Sequence, residues 1–247
     1  MKFAIEGGQR QFFKKHQFLE VEGMLTAAQL KELNLQIEKV LEERLNAKPK
    51  RAFQELPTKV FTAGRDLWRS SDGIKKISLS TQFAEIASDL IEFRPLRMGF
   101  DQLYSTVQNP TKDREGFNPY KELASTLRTL TETTCLQGVL CGLMICLSGK
   151  SEVENIEEVE EEVEEEVEYE TIFSKKPGNA VFFTPEMVVD FNDLFSDETY
   201  RYLMIVYTHP TAIYFLEDND PQTHAFKGLG YVFGDRLSDK LNPIIYR

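Results

Sequence analysis

The chain has few of the residues that most often mark chemistry. Its 247 residues include three cysteines and three histidines. Cys135, Cys141 and Cys146 lie in one apolar stretch. An odd, clustered set does not make a disulfide framework, so a reducing compartment is expected. No apolar run is long. The longest, "VLCGLMICL" from Val139 to Leu147, has nine residues, against the roughly 20 a membrane span needs. The amino-terminal stretch "MKFAIEGGQRQFFKKHQ" lacks the apolar centre of a secretory signal. These absences predict a soluble, cytoplasmic protein with no membrane partner. There is no basic stripe of useful length, so no nucleic-acid partner is expected. There is no Gly-x-Ser-x-Gly, no phosphate-cradling glycine loop and no Cys-x-x-Cys. The glycines of "GLGYVFGD" follow no strand and open no helix, so they read as turn chemistry.

What is present suits one globular domain over residues 1–247. Apolar residues make up 41% and aromatics 11%, enough for a core and too many for a disordered chain. The formal charge of −11 belongs to one segment. Ser151 to Glu170 holds 12 glutamates and no basic residue. Outside it, 29 basic residues meet 28 acidic ones (40 less 12). Val153, Ile156, Val159, Val163 and Val167 recur in this run at helical spacing. Two readings stand: a solvated, low-complexity insertion between strands, or a docking strip for a basic protein partner. Its carboxylates lack the mixed-ligand spacing of a calcium loop.

Helices come first. In "LTAAQLKELNLQIEKVLEERL" (Leu25 to Leu45), Leu30, Leu33, Ile37, Val40, Leu41 and Leu45 share one face. Thr26 with Gln29 forms a capping box, and Leu25 with Leu30 the accompanying staple. "FLEVEG" before it alternates as a short strand. A second helix is predicted over Thr81 to Ile91, and a shorter one near Arg65 to Lys76, interrupted by Gly73. From Pro95 the period becomes two. "LRMGFDQLYS" places Leu96, Met98, Phe100 and Gln102 on one face and Arg97, Gly99, Asp101 and Leu103 on the other. "NPTKDREGFNP" is a loop. "LQGVLCGLMICLSG" is apolar on both faces, as a doubly covered strand is. "NAVFFT" and "YRYLMIVYT" are further strands. The class is α+β, mainly β: helices, then an antiparallel sandwich.

In this order, "FFKKHQFLEVEGMLTAAQLKELNLQIEKVL", "GRDLWRSSDGIKKISLSTQFAEIASDLIE", "LRMGFDQLYS", "LQGVLCGLMICLSG", "KPGNAVFF" and "YRYLMIVYT" resemble the phytanoyl-CoA dioxygenase-like branch of the iron(II)/2-oxoglutarate oxygenases. The "CLSG" strand end is also similar to small uncharacterised bacterial proteins on that scaffold. The resemblance implies a double-stranded β-helix, or jelly roll, backed by helices. It also implies iron held by His-x-Asp or His-x-Glu plus a distant histidine, with open positions for 2-oxoglutarate and oxygen. A basic residue on the last core strand is implied as the anchor for the far carboxylate.

The chain departs from that pattern at the metal. His16, His209 and His224 are its histidines, and none has Asp or Glu two residues on. Cys135 and Gln137 stand where the first ligand pair is expected. The interval due the second histidine holds none, and Glu186 and Asp190 are the candidates there. Arg201 begins the last core strand and is the candidate carboxylate anchor, since a guanidinium grips a carboxylate with two parallel bonds. The plain alternative for Arg201 is a surface pair with Asp197 or Glu198. Cys135 with Asp190 and Glu186 could make an unusual metal site, though a cysteine is more often a small buried hydrophobe. His209 could act as a base, or be a polar strand end. The function expected is a non-catalytic binding or regulatory protein without a cofactor, a pseudoenzyme taking a small carboxylic acid. The alternative is an active oxygenase using iron(II) and 2-oxoglutarate through unconventional ligands, and the third class is an interaction protein working through the acidic run.

Overall fold

The side chain of Thr26 accepts the Gln29 amide at 3.3 Å, while the Gln29 side chain accepts the Thr26 amide at 3.0 Å. This reciprocal cap starts α2 (Ala27–Leu45), the longest helix of a computed structural model that describes residues 5–105, 123, 127–149, 172–191, 194 and 200–247. Helix α1 (Gly7–His16) leads through β1 (Phe18–Val21) into α2. Then come α3 (Pro57–Ala63), α4 (Asp72–Ser78) and α5 (Thr81–Ile91). Pro57 fits the first turn of α3, where its missing N–H costs nothing. The helix expected over Arg65 to Lys76 is two pieces. A 3-10 turn at Leu67–Arg69 precedes α4, which Ser71 caps through the amides of Gly73 and Ile74. The break therefore falls before Ser71, and Gly73 sits inside the helix, where its missing side chain admits Gln36.

The strands are β2 (Leu96–Ser105), β3 (Arg128–Thr129), β4 (Leu136–Ser148), β5 (Ala180–Phe183), β6 (Val188–Val189), β7 (Arg201–Tyr214) and β8 (Ile244–Tyr246). A six-stranded antiparallel sheet, in the order β1-β5-β4-β7-β2-β8, curls into a half-barrel. A two-stranded sheet, β3-β6, stands apart from it. Strand β7 runs six residues beyond the "YRYLMIVYT" read from the sequence. The long pairing of β4 with β7 forms the centre, from Leu136↔Tyr214 to Ser148↔Arg201.

Period two sorts the sheet into two faces. Cys141, Leu143, Ile145, Phe182, Leu203, Ile205 and Tyr207 face the helices and meet Leu33, Ile37, Leu41, Phe83, Ile86 and Leu90. Each such buried aliphatic or aromatic contributes about 1.5–3 kcal/mol relative to exposure. Met144, Cys146, Val181, Phe183, Tyr202, Met204 and Val206 face inward, in one cluster with residues of the segment after β7: Phe226, Tyr231 and Leu237. Gly142 makes room on this inner face: a Cβ there would lie 2.3 Å from the Phe183 ring.

The faces expected for β2 change partway along. Leu96 and Met98 pack on the helix side, while Phe100 belongs to the inner cluster. A register shift between Met98 and Phe100 inserts Gly99 and turns the strand over. Alternation alone has no way to show such a bulge. The acidic run at 151–170 and the loop at 109–119 lie outside the described residues. Among the described residues no helix is long and apolar enough to cross a membrane.

Candidate functional site

The residues singled out by sequence are scattered. Arg201 has the strand parity of Leu203 and Ile205, so its side chain lies on the helix-backed face. Its guanidinium stacks 4.4 Å from the centre of the Phe53 ring, and its Nε donates to Ser148 Oγ at 3.1 Å. Burial lowers its pKa, opposed by the nearby Glu38 charge. The guanidinium is thus held by Phe53 and Ser148 on the helix side of the sheet. Gln137 is exposed near the start of β4, opposite Ile213. Asp190 and Glu186 are exposed around β6. Cys135 is fully buried, and burial followed by the Asp220 charge pushes its thiol pKa far above the ordinary range. In the metal-free chain it is therefore a thiol.

The histidines do not converge either. His16 is exposed on α1 and stacks on Phe12. His209, half-buried, bonds Thr211 Oγ1 at 2.7 Å and lies beside Phe93. His224 is exposed ahead of the 225–229 turn. No three His, Cys, Asp or Glu side chains among the described residues come together to hold a metal. The described residues thus do not fit a two-histidine, one-carboxylate iron set.

A different polar group collects at one end of the inner face, and of the residues singled out by sequence it includes Cys135. Gly64 approaches β2 so closely that a Cβ would meet the Leu103 Cβ at 2.9 Å. Its carbonyl accepts the Leu103 amide at 2.9 Å, and Arg65 bridges to Gln102. From α2, Arg44 clamps the carbonyls of Ala63, Arg65 and Asp66. This fixed backbone sends the Arg65 side chain inward. Its guanidinium carbon sits 3.2 Å from the centre of the Phe100 ring, a cation–π stack. Asp220 Oδ2 is 3.9 Å from Arg65 Nη2. That oxygen accepts the Cys135 amide at 2.9 Å, and Oδ1 accepts the Gln222 amide at 2.8 Å. The Gln222 side chain donates to Gln102 Oε1 at 2.7 Å and to the Phe61 carbonyl at 3.1 Å. Tyr214 borders the cluster; burial, then Cys135 and Asp220, raise its phenol to about 12.

Within this group Arg65 Nε and Nη2 are buried without a hydrogen-bond partner. No sequence signal marks this: "GRDLWR" reads as a helix start, and Asp220 as one of several turn residues. The Asx-type bond from Gln222 N to Asp220 is the turn chemistry that the sequence does show.

Asp101 stands on the other face of β2. It accepts the amides of Leu67 at 2.6 Å and Trp68 at 3.1 Å, and the Ser78 hydroxyl at 2.7 Å. Burial first, then the Asp66 charge, raises its pKa to about 7 against the pull of those three donors. All its contacts are structural ties between sheet and helix layer. An open groove of about 790 Å³, lined by Met24, Gln29, Leu33, Lys76, Ile77 and Phe83 among others, lies on the helix layer.

No family model and no curated protein matches the chain. Solved structures do. SnoK, a non-heme alpha ketoglutarate dependent carbocyclase from nogalamycin biosynthesis, is 12% identical and superposes with a TM-score of 0.61 over 97% of this chain and 96% of its own. SnoN, a non-heme alpha ketoglutarate dependent epimerase from the same biosynthesis, is 15% identical, with a TM-score of 0.60 over 97% and 95%. The nickel complex of the non-heme monooxygenase ThoJ is 10% identical, with a TM-score of 0.50 over 83% and 79%. The likeness reaches the scaffold and does not single out the phytanoyl-CoA dioxygenase-like branch. The chain shares with these enzymes the fold alone, a double-stranded β-helix backed by amino-terminal helices.

Proposed function

We propose that this chain is a non-catalytic binding protein on the oxygenase scaffold, working without iron or 2-oxoglutarate. One observation carries the reading: each of the three histidines lies at an exposed or half-buried position, on α1, near the end of β7 or ahead of the 225–229 turn. Iron chemistry on this scaffold needs imidazole donors with open coordination positions inside the barrel. The inward positions of β4, β5 and β7 instead carry Met144, Cys146, Val181, Phe183, Tyr202, Met204 and Val206, which pack as core. Fold alone does not carry activity. The working part of a binder would be the polar end of the inner face, where a small carboxylic acid finds a guanidinium.

The test is ferrous titration of the purified chain with 2-oxoglutarate under oxygen. The expected result is oxygen uptake equal to that of buffer with iron alone, and no succinate. Stoichiometric iron with succinate accumulating on turnover would overturn the reading and favour an oxygenase with unconventional ligands.

A further inference from the structure

The main sheet ends at β1, and that end carries unused bonding capacity. Thr184 donates its amide to the Gln17 carbonyl at 2.8 Å. The β1–β5 register keeps the same offset, with Phe18 opposite Phe183 and Leu19 opposite Phe182. In an antiparallel ladder, successive residues bond alternately to one neighbour and to the other. Leu19 and Val21 therefore turn their N–H and C=O groups to β5. Phe18 and Glu20 turn theirs outward. Strand β1 is the last in its sheet, and no described residue bonds these outward groups. Water satisfies such an edge, and so does another strand.

Two features select a second copy of this chain as that strand. The first is the symmetry of the edge. Phe18 and Glu20 lie on either side of Leu19, so a two-fold axis at Leu19 sets each Phe18 opposite Glu20 of the second copy. Each such pair exchanges two backbone bonds, and the pairs together use every outward group on both copies. Leu19 then meets itself across the axis in a non-hydrogen-bonded pair, the closer kind. The two Phe18 rings become diagonal neighbours, within reach for aromatic side chains. Phe12, 40% exposed, already stands edge-on to Phe18 at 5.7 Å. The second feature is charge. Lys15 and His16 are exposed where the chain enters β1, and Glu20 and Glu22 are exposed where it leaves. Antiparallel pairing lays the basic end of one copy against the acidic end of the other. The existing contact of Glu22 with Lys176, exposed and at 4.0 Å, competes little. A short strand bearing a glutamate is also a way to keep an edge solitary. Here, however, the charge finds its opposite at the matching place. We infer that this chain forms a two-fold dimer through β1, its main sheet continuing into that of the second copy with Leu19 against Leu19. The dimer is independent of the functional reading, since it leaves the inner face of the barrel untouched.

The experiment is sedimentation equilibrium of the full chain under reducing conditions. The expected mass is twice 28.5 kDa at high concentration, falling to that of one chain on dilution. Glu20→Pro removes an outward N–H and leaves the bonds to β5 in place, as proline on an edge strand does. It is expected to raise the dissociation constant at least about tenfold with circular dichroism unchanged. Glu22→Lys is expected to weaken the dimer, and adding Lys15→Glu to restore it. On oxidation, Leu19→Cys is expected to join two chains by a disulfide across the axis, while Phe18→Cys stays single. The native cysteines are buried and do not interfere. Should Glu20→Pro fail to fold, the wild-type mass and the charge exchange still decide. A single-chain mass at every concentration overturns the proposal. So does a dimer that Glu20→Pro leaves equally tight, and so does a monomer carrying some other peptide along β1.

Discussion

Two buried arginines flank the start and middle of β2, and they are treated differently. Arg97, 5% exposed, donates to the carbonyls of Pro210 and Asn242 and to the Asp239 carboxylate. Arg65, 7% exposed, has Phe100 under its face and no acceptor on its Nε and Nη2 edge. Asp101, between them on the other face, has three donors. Arg97 and Asp101 are satisfied within the chain, whereas the Arg65 edge, like the Tyr207 hydroxyl and Arg69 Nε, is not. Such local inconsistencies are the places where a fold can depart from its purely structural ties.

The comparison can be broken where the ties are strongest. The folded Asp101 takes up a proton near pH 7, whereas an unfolded aspartate does so near pH 4. The folded state therefore binds more protons across that window, and stability falls as pH rises through it. A shift of this size corresponds to at most about 4 kcal/mol. Urea midpoints of wild type and Asp101→Asn between those limits should diverge, the variant showing the flatter profile. Arg97→Met leaves the Pro210 and Asn242 carbonyls without their donor, and should cost about 3 kcal/mol in the same assay. Gly142→Ala forces a methyl into the Phe183 ring and should cost roughly 1–3 kcal/mol by overpacking. The sharpest contrast is the smallest effect. Replacing the buried pair as a unit, Arg65→Met with Asp220→Asn, should change stability by under about 1 kcal/mol in either direction. If that double variant proved as damaging as Arg97→Met, the two arginines would be equivalent structural ties.

The elements with local causes are legible in the amino-acid sequence. The Thr26 and Gln29 cap, the faces of α2 and α5, and the doubly buried β4 follow from side-chain period and capping chemistry. The fold follows from their order. The polar site does not, because burial of Arg65 depends on how close Gly64 comes to Leu103, a contact between elements far apart in sequence. The facing of Arg201 is hidden for a related reason. Being at the start of the last long strand fixes its place along the sheet. Only the parity with Leu203 and Ile205, set against the packed core, fixes its side. The turn-over at Gly99 is likewise silent, since a bulge changes phase without changing composition.

Strand β8 closes one edge of the main sheet against β2, and the Arg97 to Asn242 bond beside it joins residues 145 positions apart. A sheet finished by so distant a segment cannot zip up as the polypeptide is made. Both strands that pair with β2, β7 and β8, lie after residue 200, so for most of its synthesis both flanks of β2 are open, and loop closure over such spans makes completion slow. An exposed flank of this kind attracts other strands, so the interval before the last pairing forms is when the chain is most prone to associate with its own kind.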